Sequence, residues 1–170
     1  FNDLVMGIHS IREAVLNPKR EKLKIIGTES GLKDLTKGMS KAFKERVSTN
    51  CETLPLHGVQ ETAKKLCTSM GFNFSRVPSQ VFMITVSQGS YSVGQAFREI
   101  EKRDEAKIIC LDSVTDAHNA AAILRTASFY GVSFVVTSAR GAFGKGPTFS
   151  RIASGALEHI KIVRTSSLPK

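Results

Sequence analysis

The stretch from residue 108 to residue 137 most constrains how this chain folds. Ile108, Ile109, Cys110 and Leu111 form a short apolar run, Asp112 to His118 is turn material, and Asn119 opens an alanine-rich helical pattern. Gly131 stands where a left-handed helix cap belongs, and Ser133 to Thr137 (SFVVT) reads as a second strand. A strand, a helix and a strand in succession form a βαβ unit, which implies a parallel sheet. The first strand reads as buried. Unpaired amides at the helix start face whatever occupies the crevice beyond it, so function is expected there.

The remaining segments follow the same alternation. Met6 to Leu16 reads as an amphipathic helix stopped by Asn17-Pro18, and Leu23 to Gly27 as a strand. Lys33 to Val47 reads as one helix, with Leu35, Met39 and Phe43 inward and Lys33, Lys37, Lys41 and Lys44 on the other side. Cys51 to Leu56 and Val81 to Val86 are strands, with a helix over Gly58 to Met70 between them. After the glycine-rich loop 138–147, Thr148 to Leu157 is helical and His159 to Val163 is a last strand. The order places the chain in the α/β class: a small α/β sandwich over 1–85, a linker and connecting helix over 86–103, and a parallel α/β domain over 104–170.

Charge narrows the partner. Lys and Arg outnumber Asp and Glu by 24 to 15, a formal +9, and the excess is spread along the chain. That favours a polyanion such as nucleic acid, although a basic balance also keeps a protein soluble. No apolar run approaches the ~20 residues of a spanning helix, so no membrane is expected. Cys51, Cys67 and Cys110 show no C-x-x-C pair and read as small buried hydrophobes of a reducing, cytoplasmic compartment. His9, His57, His118 and His159 show no metal-ligand spacing, and no metal is expected.

Two residues of the helix carry candidate chemistry. Asn119 occupies an N-cap position, and it is either a cap or a ligand-facing amide. Arg125 leans back over the small Ala121 and Ala122, where a phosphate or ribose has room, or else it is an ordinary surface arginine. The glycine-rich loop lacks the placement of a dinucleotide fingerprint and the ending of a P-loop, which argues against an oxidoreductase; it offers Arg140 and Lys145 to phosphates. Glu158 lies between helix and strand, either as a site carboxylate or as a simple helix end.

The run LDSVTDAHNAAAILRTASFYGVSFVV closely resembles the first motif of the SpoU (TrmH) family of RNA 2′-O-ribose methyltransferases, Asn-x-Gly-Ala-x-x-Arg-x-Ala. RIASGALEHIKIVR resembles the family's downstream segment. GIHSIREAVLNPKREKLKII is similar to the start of the substrate-binding domain in members of the RlmB type, and SQGSYS stands where those members carry a His-Gln-Gly turn. The resemblance implies a Rossmann-like SPOUT domain with a C-terminal trefoil knot, S-adenosylmethionine held in that knot, and a homodimer. It also implies an N-terminal domain like RNA-binding ribosomal proteins. Asn119 and Arg125 match the family's catalytic Asn and Arg, with Arg125 engaging RNA phosphate and helping to activate the ribose hydroxyl; Glu158 matches a supporting Glu. Arg140, Lys145, Arg151, Lys33, Lys37 and Lys41 become the expected RNA contacts.

Two departures accompany the resemblance. Ala121 replaces the family's glycine, and the knot motifs that build the cofactor pocket are absent, so no cofactor-binding residues are assigned. The expectation is an incomplete form of an S-adenosylmethionine-dependent ribose methylase, rRNA favoured over tRNA, that does not itself hold cofactor. The alternative is a non-catalytic RNA-binding module.

Overall fold

A computed structural model describes residues 3–72, 80–89, 91–138, 143, 146–166 and 168. The chain divides into two units, the first comprising 1–88 with 146–151 and the second 89–145 with 152–170.

The first unit runs β1 (Asp3–Met6), α1 (Ile8–Leu16), β2 (Leu23–Gly27), α2 (Glu29–Thr36), α3 (Lys41–Thr49), β3 (Cys51–Thr53), α4 (Leu56–Ser69) and β4 (Val81–Thr85). The sheet order is β1-β4-β2-β3; β4 is antiparallel to both neighbours and β2 is parallel to β3. Alternate side chains serve two cores. Val5, Ile25 and Met83 pack with Ile11, Val15, Leu35, Phe43 and Val47, whereas Leu4, Met6, Ile26, Phe82 and Ile84 pack with Val59, Ala63 and Cys67. Helices therefore cover both faces, and β4 is buried at every position.

Two sequence expectations change here. Met6 belongs to a strand, paired with Phe82, and Gly7 at φ 92° breaks the backbone before α1 begins. The single helix over 33–47 is two helices. Gly38 takes φ 74°, a left-handed conformation that glycine adopts without a Cβ penalty, and the Ser40 hydroxyl accepts from the Phe43 amide at 3.3 Å to start α3. Arg12 closes α2 by donating to the carbonyls of Asp34 (2.8 Å), Leu35 (2.9 Å) and Lys37 (3.0 Å). Lys33, Lys37 and Lys41 are all exposed, but they lie on α2, after it and on α3, so they form no single helical stripe.

A buried arginine ties the sheet's outer strand. Arg20 donates to the Asp3 carboxylate at 2.8 Å and to the Val86 carbonyl at 2.6 Å. Residues 146–151 are grouped with this unit, where the Ser10 hydroxyl donates to the Ser150 carbonyl at 2.7 Å.

The second unit contains α5 (Val93–Ile100), β5 (Ile108–Leu111), α6 (Ala117–Phe129), β6 (Phe134–Ser138), a 3-10 helix (Ala156–Glu158) and β7 (Lys161–Thr165); α7 (Pro147–Ala153) crosses the division. The sheet order is β5-β6-β7, all parallel, with Phe134 in register with Ile108 and Lys161. Ala96 of α5 packs on Phe134 and Val163, with Tyr91, Ile100 and Val136 around them. Ser92 caps α5 in a full capping box with Gln95. β5 is not buried. It has one neighbour among the described residues, which leaves Ile108 46% exposed and Cys110 exposed as well. Cys51 is half-buried, and only Cys67 fits the expected burial, which pushes its thiol pKa up. The helix expected to reach Leu157 ends at Ala153, because Ser154 (φ 49°) and Gly155 (φ 87°) turn left-handed.

Glycine packing supplies a stability test. A Cβ on Gly31 would lie 2.7 Å from the Gln80 carbonyl oxygen, whereas one on Gly58 would meet nothing nearer than 3.4 Å. Both residues are helical. Gly31→Ala is expected to destabilise the protein by about 1–3 kcal/mol, while Gly58→Ala stabilises it by up to about 1 kcal/mol. Urea unfolding of the two variants checks the opposite signs.

Candidate functional site

The βαβ connection places α6 so that its start lies beyond the carboxyl end of β5, where ligands bind in parallel α/β sheets. The intervening turn is strained. Ser113 holds φ 55°, a left-handed conformation costly for a residue with a side chain, and its hydroxyl donates to the Asp112 carboxylate at 3.1 Å. Asp116, not Asn119, is the N-cap: its carboxylate accepts from the Asn119 amide at 2.7 Å. Asn119 is thus the third helical residue, with its side chain exposed.

The buried face of α6 is small and apolar, comprising Ala120, Ala121, Leu124 and Ala127. Ala121 is fully buried, so the methyl group it carries in place of the family's glycine packs inward. Arg125 is exposed, with no hydrogen bond or ion pair among the described residues. Six residues separate it from Asn119, a rise of about 9 Å and a rotation about 120° short of two full turns. The two side chains therefore leave different faces of α6. The structure gathers Asp112, Ser113, Asp116 and Asn119 at one end of the sheet and sets Arg125 further along the helix.

The other expected site residues are dispersed. Glu158 is half-buried at the end of the 3-10 helix, which packs against α6. Arg151 is exposed on α7, in the part grouped with the first unit, as are Lys33, Lys37 and Lys41 in their own elements. Arg140 and Lys145 lie outside the described residues. Three residues that the sequence did not single out stand near the carboxyl end of the sheet: Ser113, Asp116 as the cap, and Arg164. Arg164 stands near the carboxyl end of β7 and donates to the Phe143 carbonyl at 3.4 Å. The strand expected to end at Val163 hid it; a basic residue at the end of a third parallel strand was the available signal. Among the described residues no group of three or more His, Cys, Asp or Glu is placed to hold a metal ion, and no helix is long and apolar enough to cross a membrane.

Comparison with known proteins bears on this same segment. Residues 106–170 match the SpoU rRNA Methylase family. That match spans 65 of the 170 residues. A Staphylococcus aureus protein assigned to the TrmH family of tRNA/rRNA methyltransferases is 24% identical over 169 residues, covering 98% of this chain and 62% of that protein. The 23S rRNA (guanosine-2′-O-)-methyltransferase RlmB of Acinetobacter baylyi is 31% identical over 71 residues, 42% of this chain and 29% of its own. Among solved structures, the SpoU methyltransferase AviRb of Streptomyces viridochromogenes, in complex with its cofactor AdoMet, superposes with a TM-score of 0.63 at 18% identity, covering 96% of this chain and 55% of that one. That likeness is one of fold. The chain spans less than two thirds of the length of these relatives.

The start of α6 separates capping from chemistry. Asp116→Ala, which removes the carboxylate accepting from the Asn119 amide, is expected to cost about 1 kcal/mol in chemical unfolding. Asn119→Ala, which removes an exposed amide with no partner among the described residues, is expected to stay within about 0.5 kcal/mol of the parent. Equal losses would show that Asn119 serves the fold.

Proposed function

We propose that this chain is part of an RNA methyltransferase that methylates a ribose 2′-hydroxyl, with rRNA the favoured substrate. The carrying observation is Arg125: exposed, free of hydrogen bonds and ion pairs among the described residues, and within the segment that matches the SpoU family. An exposed guanidinium with no partner among the described residues is available to a phosphate, and RlmB, similar over 71 residues, is a guanosine-2′-O-methyltransferase by name.

The methyl donor in this reading is S-adenosylmethionine, the cofactor of AviRb. Asp112, Ser113, His118 and Asn119 are exposed around the turn that leads into α6. In this reading no residue of this chain is assigned to the cofactor.

What the chain's own residues do is narrower. Arg125 holds the phosphate beside the target ribose, and its charge favours the ionised over the protonated 2′-hydroxyl as negative charge develops on that oxygen. Asn119 orients the nucleotide by hydrogen bonding at the mouth of the turn, and Glu158 supports α6 from the neighbouring 3-10 helix. Arg140, Lys145 and Arg151 contact RNA from the loop and α7, and the first unit, through Lys33, Lys37 and Lys41, adds affinity that falls as salt rises. In the whole protein we place this work in a cytoplasmic homodimer.

In the full-length protein, Arg125→Ala is expected to lower methyl transfer to RNA about 100-fold or more, with unchanged circular dichroism, and Arg125→Lys to restore part of it. Tritiated donor incorporation, with the product mapped as an alkali-resistant ribose, reads the result. Turnover of Arg125→Ala close to the parent would sink Arg125's role. RNA binding without any methyl transfer by the unaltered full-length protein would make it a binding module.

A further inference from the structure

The opposite end of the second unit's sheet carries a surface that the proposed methylation does not use. At the amino ends of β6 and β7 a cavity of about 360 Å³ opens between Arg103, Ser128, the turn Gly131–Ser133, His159 and Lys161. Its cations are held in place. Arg103 donates to the Ser133 hydroxyl at 3.0 Å and its guanidinium lies 5.6 Å from the Phe134 ring; the Lys161 ammonium lies 5.1 Å from the Tyr91 ring. The Glu99 carboxylate pairs with Lys161 and with Arg103 at 3.7 Å. Lys107 adds a further positive charge by donating to the Tyr130 carbonyl at 3.2 Å.

Beside this basic cavity stand two uncovered aromatic rings. Phe129 is 85% exposed and Tyr130 is 64% exposed, with perpendicular rings 5.4 Å apart. They end α6 just before the Gly131 turn that lines the cavity. An apolar partner covering the rings would also have to desolvate the exposed Arg103 and Lys107, which is costly. A strand of nucleic acid satisfies both features at once, because its bases stack on aromatic faces and its phosphates take the cations. The cavity volume also falls within the range of pockets that enclose small-molecule groups, enough for a phosphate with its ribose.

We propose that this edge is a second RNA site, taking a single-stranded segment whose base stacks on Tyr130 or Phe129 while a phosphate sits among Arg103, Lys107 and Lys161. It rests on the RNA reading above for the identity of the ligand, and it lies at the end of the sheet away from Asn119. RNA held there is gripped outside the nucleotide that reacts.

The test uses the full chain and a single-stranded oligouridylate of about a dozen nucleotides. The chain contains no tryptophan, so Tyr130→Trp supplies a lone reporter at the site. Its emission is expected to quench saturably on adding RNA, at an affinity close to that of the parent. Phe129→Ala/Tyr130→Ala is expected to weaken binding about tenfold or more, and Lys107→Ala to lower the salt dependence, with circular dichroism unchanged because these side chains are exposed. Parent-like binding by the double variant, or no quenching, overturns the site while leaving the methylation reading intact. A Tyr130→Trp emission shift that follows protein concentration without RNA also overturns it, because a protein surface then covers the rings. Failure of the unaltered chain to bind RNA removes both this site and the RNA reading, whereas loss of methyl transfer alone removes only the latter's catalytic part.

Discussion

Parallel pairing between β5 and β6 is the constraint on which the second unit depends. Two parallel strands cannot be joined by a hairpin, so the chain leaving Leu111 must cross back before entering Phe134, and α6 is that crossing. Its direction is then fixed. The positive end of the helix, with Asp116 as cap, comes to the carboxyl edge of the sheet, and the negative end, its carbonyls taken up by the Gly131 turn, comes to the amino edge. Lys107, just before β5, answers the second end by donating to the Tyr130 carbonyl. One connection thus creates two chemically distinct rims.

The first unit solves a different problem with arginines. Its sheet is mixed and covered by helices on both faces, so its side chains are mostly committed to the two cores. The polar ends left over are gathered by guanidinium forks: Arg12 takes three carbonyls at the end of α2, and buried Arg20 joins the start of β1 to the residue after β4. A lysine at either place would present a single compact ammonium where several acceptors diverge. The basic excess of the chain is therefore partly structural, and counting it all towards nucleic acid overstates the surface charge available.

The fold was legible wherever a hydrophobic period was long enough to be unambiguous. Leu23–Gly27 and Ile108–Leu111 match their expected bounds, and α5 and α6 start or end within a few residues of theirs. What escaped was decided by contacts distant in sequence or by single backbone positions. β1 has only four residues and owes its extended form to pairing with β4, nearly eighty positions away. The break between α2 and α3 hangs on Gly38 and on Arg12, and only the glycine is local. The candidate site divides in the same way. The location of the strand-turn-helix was readable, but the cap was assigned to Asn119 because both Asp116 and Asn119 are good capping residues, and only the 2.7 Å amide contact chooses between them. The exposure of β5 was unreadable, since an apolar run does not reveal how many neighbours its strand has.

The composition of α6 explains how a short helix can serve both fold and chemistry. Its inward residues are alanines and one leucine, which let the helix lie close and leave little to rearrange beneath it. The fully buried Ala121 adds its methyl group to that contact rather than to the outer surface. Asn119 and Arg125 on the outer faces, and Phe129 at the far end, carry no comparable packing duty. A residue that costs little to change in the fold yet leaves a charge or a ring uncovered is one whose reason lies outside the folded unit. On this helix Asn119, Arg125 and Phe129 stand on different faces and at different ends, which is why the two proposed sites divide them between the two rims of the sheet.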